Sequence, residues 1–435
     1  MRDAGIRGGP VLVEGVRVLA IRSALLIACL ALAGCGGRPP GILIPVAVSA
    51  ENTSKVNMIV ATTRAPVKGG DLYGGDRARE PGFAEITVSI PPDASRNIGE
   101  VQWPQRVPGN PATDFVTTSA DVVSQKQAET WFNRQIRKTP GRRALVFIHG
   151  YNSRFEDAVF RFAQIVHDSR AEVVPILFTW PSRGSLLAYG YDRESASYSR
   201  DALENLLTFL ATDPNVSEIS ILAHSMGNWV TMEALRQMAI RNKRVHPKIR
   251  TVMLAAPDVD VDIFRTQIAD MGKTRPNFTI FVSQDDRALQ VSQRVWGSKA
   301  RLGQIDPALE PYRSEFEAQK ITLIDLTKLR TGDNLNHGKF AESPEVVQMI
   351  GTRLIAGQTL TDGREGVGDR IIQVTTGAAQ TIGTAAGVVI SAPVAVVDPS
   401  SRENFGAQVE NLGSTVSHTA TSTGSLLTQP PVSPQ

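Results

Sequence analysis

The stretch Ala223-His224-Ser225-Met226-Gly227-Asn228 decides the fold. An apolar run, Ile219 to Leu222, leads into it, and a helical pattern, Trp229 to Ile240, leads out. Small-x-Ser-x-Gly between a strand and a helix is the pattern of a serine held at a sharp turn, G-x-S-x-G with its first glycine relaxed to alanine. The turn is tight, so a large side chain two residues to either side of the serine would strike the neighbouring strand or helix. Ala223 adds only one methyl, and Gly227 lets the helix begin close against the strand. These five residues also fit a serine in an ordinary buried loop. The choice rests on what the chain supplies around them.

Working outward, residues 142–356 alternate strands with helices. The strands are ALVFIHG, VVPILFTW, EISILAH, TVMLAAP, FTIFVSQ and ITLIDL, short and nearly continuous apolar runs rich in β-branched residues. Such runs belong to parallel strands buried on both faces. Between them lie amphipathic segments. In Arg154 to Arg170 the apolar positions Phe155, Ala158, Val159, Phe162, Ala163 and Val166 form one helical stripe. The expectation is an α/β fold, a mostly parallel sheet with helices on both faces. Upstream, residues 56–140 carry shorter β-like runs (VNMIVAT, FAEITVSIPP, DFVTT) and one helical stretch with Trp131, Phe132 and Ile136 on one side. They read as a small β-rich N-terminal extension that packs on residues 141–357.

A nucleophilic serine needs a base within hydrogen-bond reach and a carboxylate to orient that base. On such a sheet the three follow the order serine, acid, histidine, each on a loop after a strand. The six histidines are His149, His167, His224, His246, His337 and His418. Only His337, after the strand ITLIDL, lies past a later strand and outside the C-terminal tail. The acid belongs after FTIFVSQ, where Asp285 and Asp286 adjoin. They point in different directions, so at most one faces His337. Asp258 and Asp260, one strand earlier, are rivals. An oxyanion needs backbone N–H donors. One is expected from Met226, after the serine. The other is expected from Tyr151 in Phe147-Ile148-His149-Gly150-Tyr151-Asn152, with His149 orienting that loop and Asn152 either assisting or serving as a turn residue.

From about Val56 to Ile355 the chain resembles a bacterial family of α/β-hydrolases of largely uncharacterised function, many described as lipoproteins or esterases. FIHGYN, FTWPSRG, AHSMGN, LAAPDVD, SQDDRAL and the His337 loop carry the resemblance. The family pattern Ser-x-x-Asp-x-Ala-Leu, here Ser283 to Leu289, implies Asp286 as the acid. The resemblance implies an α/β-hydrolase fold and a Ser225–Asp286–His337 triad, and it implies no particular substrate. The departures are Ala223 in the elbow and a long tail.

The N-terminus points to an address. Arg17 and Arg22 flank the apolar run Ile21 to Ala33, which ends in Leu32-Ala33-Gly34-Cys35. The run is shorter than the roughly 20 residues of a membrane span and has the length of a signal-peptide core. Small residues followed directly by cysteine resemble the bacterial lipoprotein box, in which the cysteine becomes the lipidated first residue. Residues 1–34 are therefore expected to be a signal peptide, Cys35 a lipid anchor, and residues 35–55 a tether. An aspartate after that cysteine resembles an inner-membrane retention signal. Gly36 stands there instead, so the expected location is the outer membrane facing the periplasm. The second cysteine, Cys29, lies in the segment to be removed, leaving no disulfide.

Residues 358–435 shift to Ala, Gly, Thr, Val and then Pro, Ser and Gln, and read as a low-complexity, disordered tail. With 46 basic against 43 acidic residues and no basic block, nothing suggests nucleic acid. No metal-ligand spacing and no phosphate loop is present. Gly363-Arg-Glu-Gly-Val-Gly follows no strand and is no dinucleotide site. Neither metal nor cofactor is expected. Two functions compete: a membrane-anchored serine hydrolase acting on small acyl esters, and a cell-envelope scaffold that keeps the fold without turnover.

Overall fold

Three N-terminal strands, β1 (Ser54–Pro66), β2 (Tyr73–Ile90) and β3 (Val116–Val123), pair antiparallel in that order. Six strands then arise from the apolar runs of the sequence: β4 (Arg143–Ile148), β5 (Val174–Thr179), β6 (Glu218–His224), β7 (Ile249–Ala255), β8 (Asn277–Val282) and β9 (Thr322–Asp325). All six are parallel to their neighbours. The computed structural model describes residues 39–47, 50–296, 299–331, 333–356, 371–375, 378–381 and 390–391. Cys35, the expected signal segment, the Gly363 cluster and His418 lie outside them.

Side chains alternate across the sheet as strand geometry requires. In β4, Ala144, Val146 and Ile148 enter one core while Leu145 and Phe147 enter the other. The first core is covered by helices Gln125–Lys138, Arg200–Thr212, Gly227–Asn242 and Val261–Met271. The second is covered by helices Phe155–Ser169 and Pro344–Ala356, with Phe147 stacked on Phe162 at 5.2 Å. Helix Gln125–Lys138 starts at a Ser124–Gln127 capping box and buries Ala128, Trp131, Phe132 and Ile136. Each such large apolar residue contributes about 1.5–3 kcal/mol on burial.

The sheet corrects three expectations. The N-terminal extension does not merely pack on the parallel sheet but continues it. β1 runs parallel to β5, with Ile59 opposite Ile176 and Ala61 opposite Phe178. The reason is legible in β1 itself: Met58 and Val60 face one core, Ile59 and Ala61 the other. A strand apolar on both faces must be covered on both, as strands inside a parallel sheet are. Second, the expected tether is seated: Ile42 and Leu43 are buried in the second core. Third, β10 (Ile371–Thr375), β11 (Ala378–Thr381) and β12 (Ile390–Ser391) extend the sheet within the stretch read as a tail. β10 lies parallel to β9, and its Ile, Val and Thr suit a pleated surface. The full order is β12-β11-β10-β9-β8-β7-β6-β4-β5-β1-β2-β3.

That order places the site. From β4 the chain moves outward to β5, then crosses back to β6 on the other side of β4. The loops after β4 and β6 therefore diverge and leave a crevice at the carboxyl ends of the strands, where open α/β sheets bind ligands.

Candidate active site

Ser225 stands at that crevice. β6 ends at His224, and helix Gly227–Asn242 begins three residues later. Ser225 has φ of 51°, the left-handed region that costs an L-residue strain. The turn is over-determined. The Ser225 N–H donates to the Ala255 carbonyl at 2.9 Å, and the buried Asn228 amide donates to the carbonyls of Ser225 and Ala255 at 2.9 and 3.0 Å. Glycine is required at two positions against the turn. A Cβ on Gly227 would stand 2.4 Å from the His149 carbonyl oxygen, and one on Gly150 would stand 2.8 Å from the Ser225 Cβ. Ala223 is fully buried, so its single methyl fits.

The structure brings His337 and Asp286 together, with Nδ1 to Oδ2 at 2.7 Å. Asp286 is buried and its other oxygen accepts the Leu289 N–H at 2.9 Å. It caps the helix Arg287–Trp296 while it faces the imidazole. Burial pulls the His337 pKa down, but the Asp286 charge and hydrogen bond, with the charges of Asp333 and Asp258 behind them, raise it above its ordinary value of 6.5. The rival Asp258 is engaged elsewhere. It accepts from Tyr189 and Ser292 hydroxyls at 2.8 and 2.7 Å and lies 3.4 Å from Arg301 Nε. Asp260, the other rival, caps helix Val261–Met271. The residue before Ser225 meets the histidine loop: the His224 ring lies 4.8 Å from the His337 ring, and its Nε2–H donates to the His337 carbonyl at 3.3 Å. Among the described residues no hydrogen bond joins the Ser225 hydroxyl to His337; such bonds tighten when substrate binds.

Sequence reasoning missed what shapes the histidine loop. Asp333 accepts three N–H groups, from Leu335, His337 and Gly338 at 2.9, 2.6 and 2.8 Å. The signal was the run Asp333-Asn334-Leu335-Asn336, typical of side chains that fold back on their own backbone. Lys339 was also missed. Its buried ammonium donates to Asp285 at 2.8 Å, to the Ser283 hydroxyl and to the Leu326 carbonyl. Asp285, the neighbour that does not face His337, holds Lys339 and accepts from the Asn336 amide at 3.0 Å.

In the loop after β4, His149 is buried, stacks on Trp180 at 4.9 Å and accepts the Trp180 N–H at Nε2. Burial and then the Arg64 charge depress its pKa to about 3, so it is a neutral orienting group. Among the described residues no acceptor takes the N–H of Tyr151 or of Met226. The Asn152 N–H lies 3.4 Å from Asp192, and Asn152 adopts φ of 57°. In the long connection after β5, Trp180 serves the core and Tyr191 stacks under Arg183 at 3.8 Å. Only Tyr189 reaches the site, edge-on to Tyr151 at 5.1 Å. A cleft of about 520 Å³ between β1, β2 and the helices Gln125–Lys138 and Arg200–Thr212 includes none of these residues.

The alpha/beta hydrolase family of unknown function matches residues 124–353, more than half of the chain. The chain belongs to that family. An uncharacterized protein of Nostoc sp. is 21% identical over 317 residues, spanning 55% of this chain and 80% of the relative. A fungal esterase structure from Rhizomucor miehei is 10% identical, covering 70% of this chain and 85% of the esterase at a TM-score of 0.34. A thioesterase structure from Streptomyces coelicolor is 14% identical, covering 48% and 85% at a TM-score of 0.24. The family shares the α/β-hydrolase fold expected from the elbow and its flanking elements, and its reaction is not specified.

Proposed function

We propose that the protein is a lipid-anchored serine hydrolase that cleaves carboxylic esters. The observation that carries this is the 2.7 Å bond between His337 and Asp286, on a loop resting against the residue that precedes a strained, over-determined serine. The Ser225 hydroxyl attacks the acyl carbonyl as the His337 Nε2 takes its proton. The N–H groups of Tyr151 and Met226 stabilise the oxyanion. The intermediate collapses, the alcohol leaves with the proton from His337, and acyl-Ser225 remains. Water, deprotonated by His337, releases the acid and restores the serine. Asp286 keeps the imidazole in the productive tautomer throughout. Thioesters, amides or transfer to another acceptor would use the same groups.

A fluorophosphonate probe with a panel of acyl esters of graded chain length tests this. Wild type should be labelled at Ser225, and Ser225→Ala should fold normally with turnover reduced on the order of 10⁶-fold. Folded wild type that is never labelled would support an inert envelope scaffold instead. Attachment is tested separately: Cys35→Ala should remain unprocessed and migrate more slowly on a gel, whereas normal processing would leave an ordinary secretory signal. Lipid chains on Cys35 would hold the enzyme at a membrane. Among the described residues no helix is long and apolar enough to cross one.

A further inference from the structure

Arg64, on β1 of the N-terminal extension, is buried directly behind the loop that carries Tyr151. Its guanidinium has five N–H groups in a rigid fork, and acceptors surround it. Nε donates to the Thr179 hydroxyl at 2.6 Å, Nη1 to the carbonyls of Gly74 and Ser182 at 2.9 and 2.8 Å, and Nη2 to the Ser153 carbonyl at 2.7 Å. Nη2 also lies 3.4 Å from His149 Nε2. Among the described residues no carboxylate pairs with it. Burial lowers its pKa to about 10, against the nearby charges of Glu156 and Asp192, so it is a cation at neutral pH.

The consequence runs through one ring and one peptide plane. His149 Nε2 faces two donors, the Arg64 guanidinium and the Trp180 N–H at 3.1 Å. That nitrogen must be the unprotonated one, so the ring's proton is on Nδ1, which donates to the Gly150 carbonyl at 2.8 Å. The Gly150 carbonyl and the Tyr151 N–H belong to the same planar trans peptide and point in opposite directions. Fixing the carbonyl fixes the N–H. Arg64 holds the far end of the same loop through the Ser153 carbonyl. The loop after β5 is tied in by Ser182, whose hydroxyl donates to Asp192 and accepts the Ser153 N–H at 3.1 Å.

We propose that Arg64 is a positioning residue for the oxyanion site: by holding the Ser153 carbonyl and, beside the Trp180 N–H, the His149 ring, it keeps in place the Nδ1–H that fixes the Gly150 carbonyl and so aims the Tyr151 N–H at the crevice. This rests on the serine-hydrolase reading, and its first test does not depend on turnover. Nitrogen NMR of histidine-labelled protein should find His149 protonated at Nδ1 in wild type, and in Arg64→Lys should find the Nε2 resonance displaced while the Nδ1 proton is kept by the Trp180 N–H and the Gly150 carbonyl. The same variant should lose about 10- to 100-fold in kcat with KM changed less than about threefold, because misplacing an oxyanion donor acts in the transition state. The acid limb of its pH profile should stay in place, since His337 and Asp286 are untouched. Arg96→Lys is the matched control. Arg96 is a second buried arginine of the extension, paired with Asp168 at 3.0 Å through Nη2 on helix Phe155–Ser169. It should lower Tm with kcat intact. If Arg64→Lys fails to fold, Ser182→Ala, which frees the Ser153 N–H of the same loop, should show the kcat loss with KM nearly unchanged. Wild-type His149 protonated at Nε2, or an Arg64→Lys enzyme no slower than Arg96→Lys at equal Tm, overturns the assignment. Wild type that shows the Nδ1 tautomer but no Ser225 labelling overturns the hydrolase reading and the oxyanion role with it.

Discussion

Asp286 does two things with its two oxygens. One caps the helix that follows and the other meets the His337 ring. Capping fixes the carboxylate plane, so the imidazole is oriented by a group that cannot itself turn. Asp286→Asn should keep the fold but lower turnover about 10⁴-fold, because the amide stabilises the wrong tautomer. Asp258→Asn should spare most activity, since that carboxylate serves Tyr189, Ser292 and Arg301; the reverse ranking in steady-state kinetics would move the acid to the β7 loop. The same pair sets a pH dependence. His337 must be neutral to act as a base, and its pKa is raised above 6.5. The acid limb of kcat/KM should therefore fall at a pH above 6.5 in wild type and move to lower pH in Asp286→Asn. A limb at or below the ordinary histidine value would mean that the carboxylate does not face the base. At this scale the sequence named the candidate triad by chain order and motif, and the structure brings two of its members, Asp286 and His337, together. It could not show that Asp286 is also the cap, because which of two adjacent carboxylates turns inward depends on where the loop lies.

Between elements, the His337 loop is held to the β8 loop by Lys339, whose ammonium joins Asp285, Ser283 and the Leu326 carbonyl. Ser283 and Asp285 follow β8 and Leu326 follows β9, so the contact exists only once both strands are paired. That is why a reading of local pattern left Asp285 unemployed, while the strands themselves, visible as apolar runs, were located throughout residues 143–325. Asp285→Asn removes a charged acceptor from a buried cation. It should destabilise the protein by about 1.5–3 kcal/mol, the usual worth of a hydrogen bond to a charged group. Urea unfolding measures this. A midpoint equal to wild type would show that the Ser283 and Leu326 oxygens suffice for Lys339.

Across the whole molecule, the family match begins at residue 124, but the sheet does not end there. β1 lies between β5 and β2, and its side chains enter both cores. The sequence showed β1–β3 as strands, yet their place in the same sheet followed from a parallel pairing between segments more than a hundred residues apart, which no local periodicity encodes. Past residue 357 the composition hid β10–β12 for a related reason: short uncharged strands at a sheet's edge look like low complexity until a neighbour pairs with them. The extension is thus part of the fold rather than an appendage. A fragment of residues 124–353 would leave the edge of β5 unpaired and uncover Phe147, Phe155, Phe160 and Leu177 where Met58, Val60, Ile86 and Phe115 share their core. Exposed apolar edge strands pair with other chains. The fragment should be insoluble or aggregated, and should not react with a fluorophosphonate probe. Co-expression with residues 39–123 as a separate chain should restore a soluble, labelled complex, because β1 can pair with β5 without a covalent link. A soluble, monomeric and reactive 124–353 fragment would show instead that the parallel strands after β4 form a complete enzyme, and that Arg64 has no part in shaping its site.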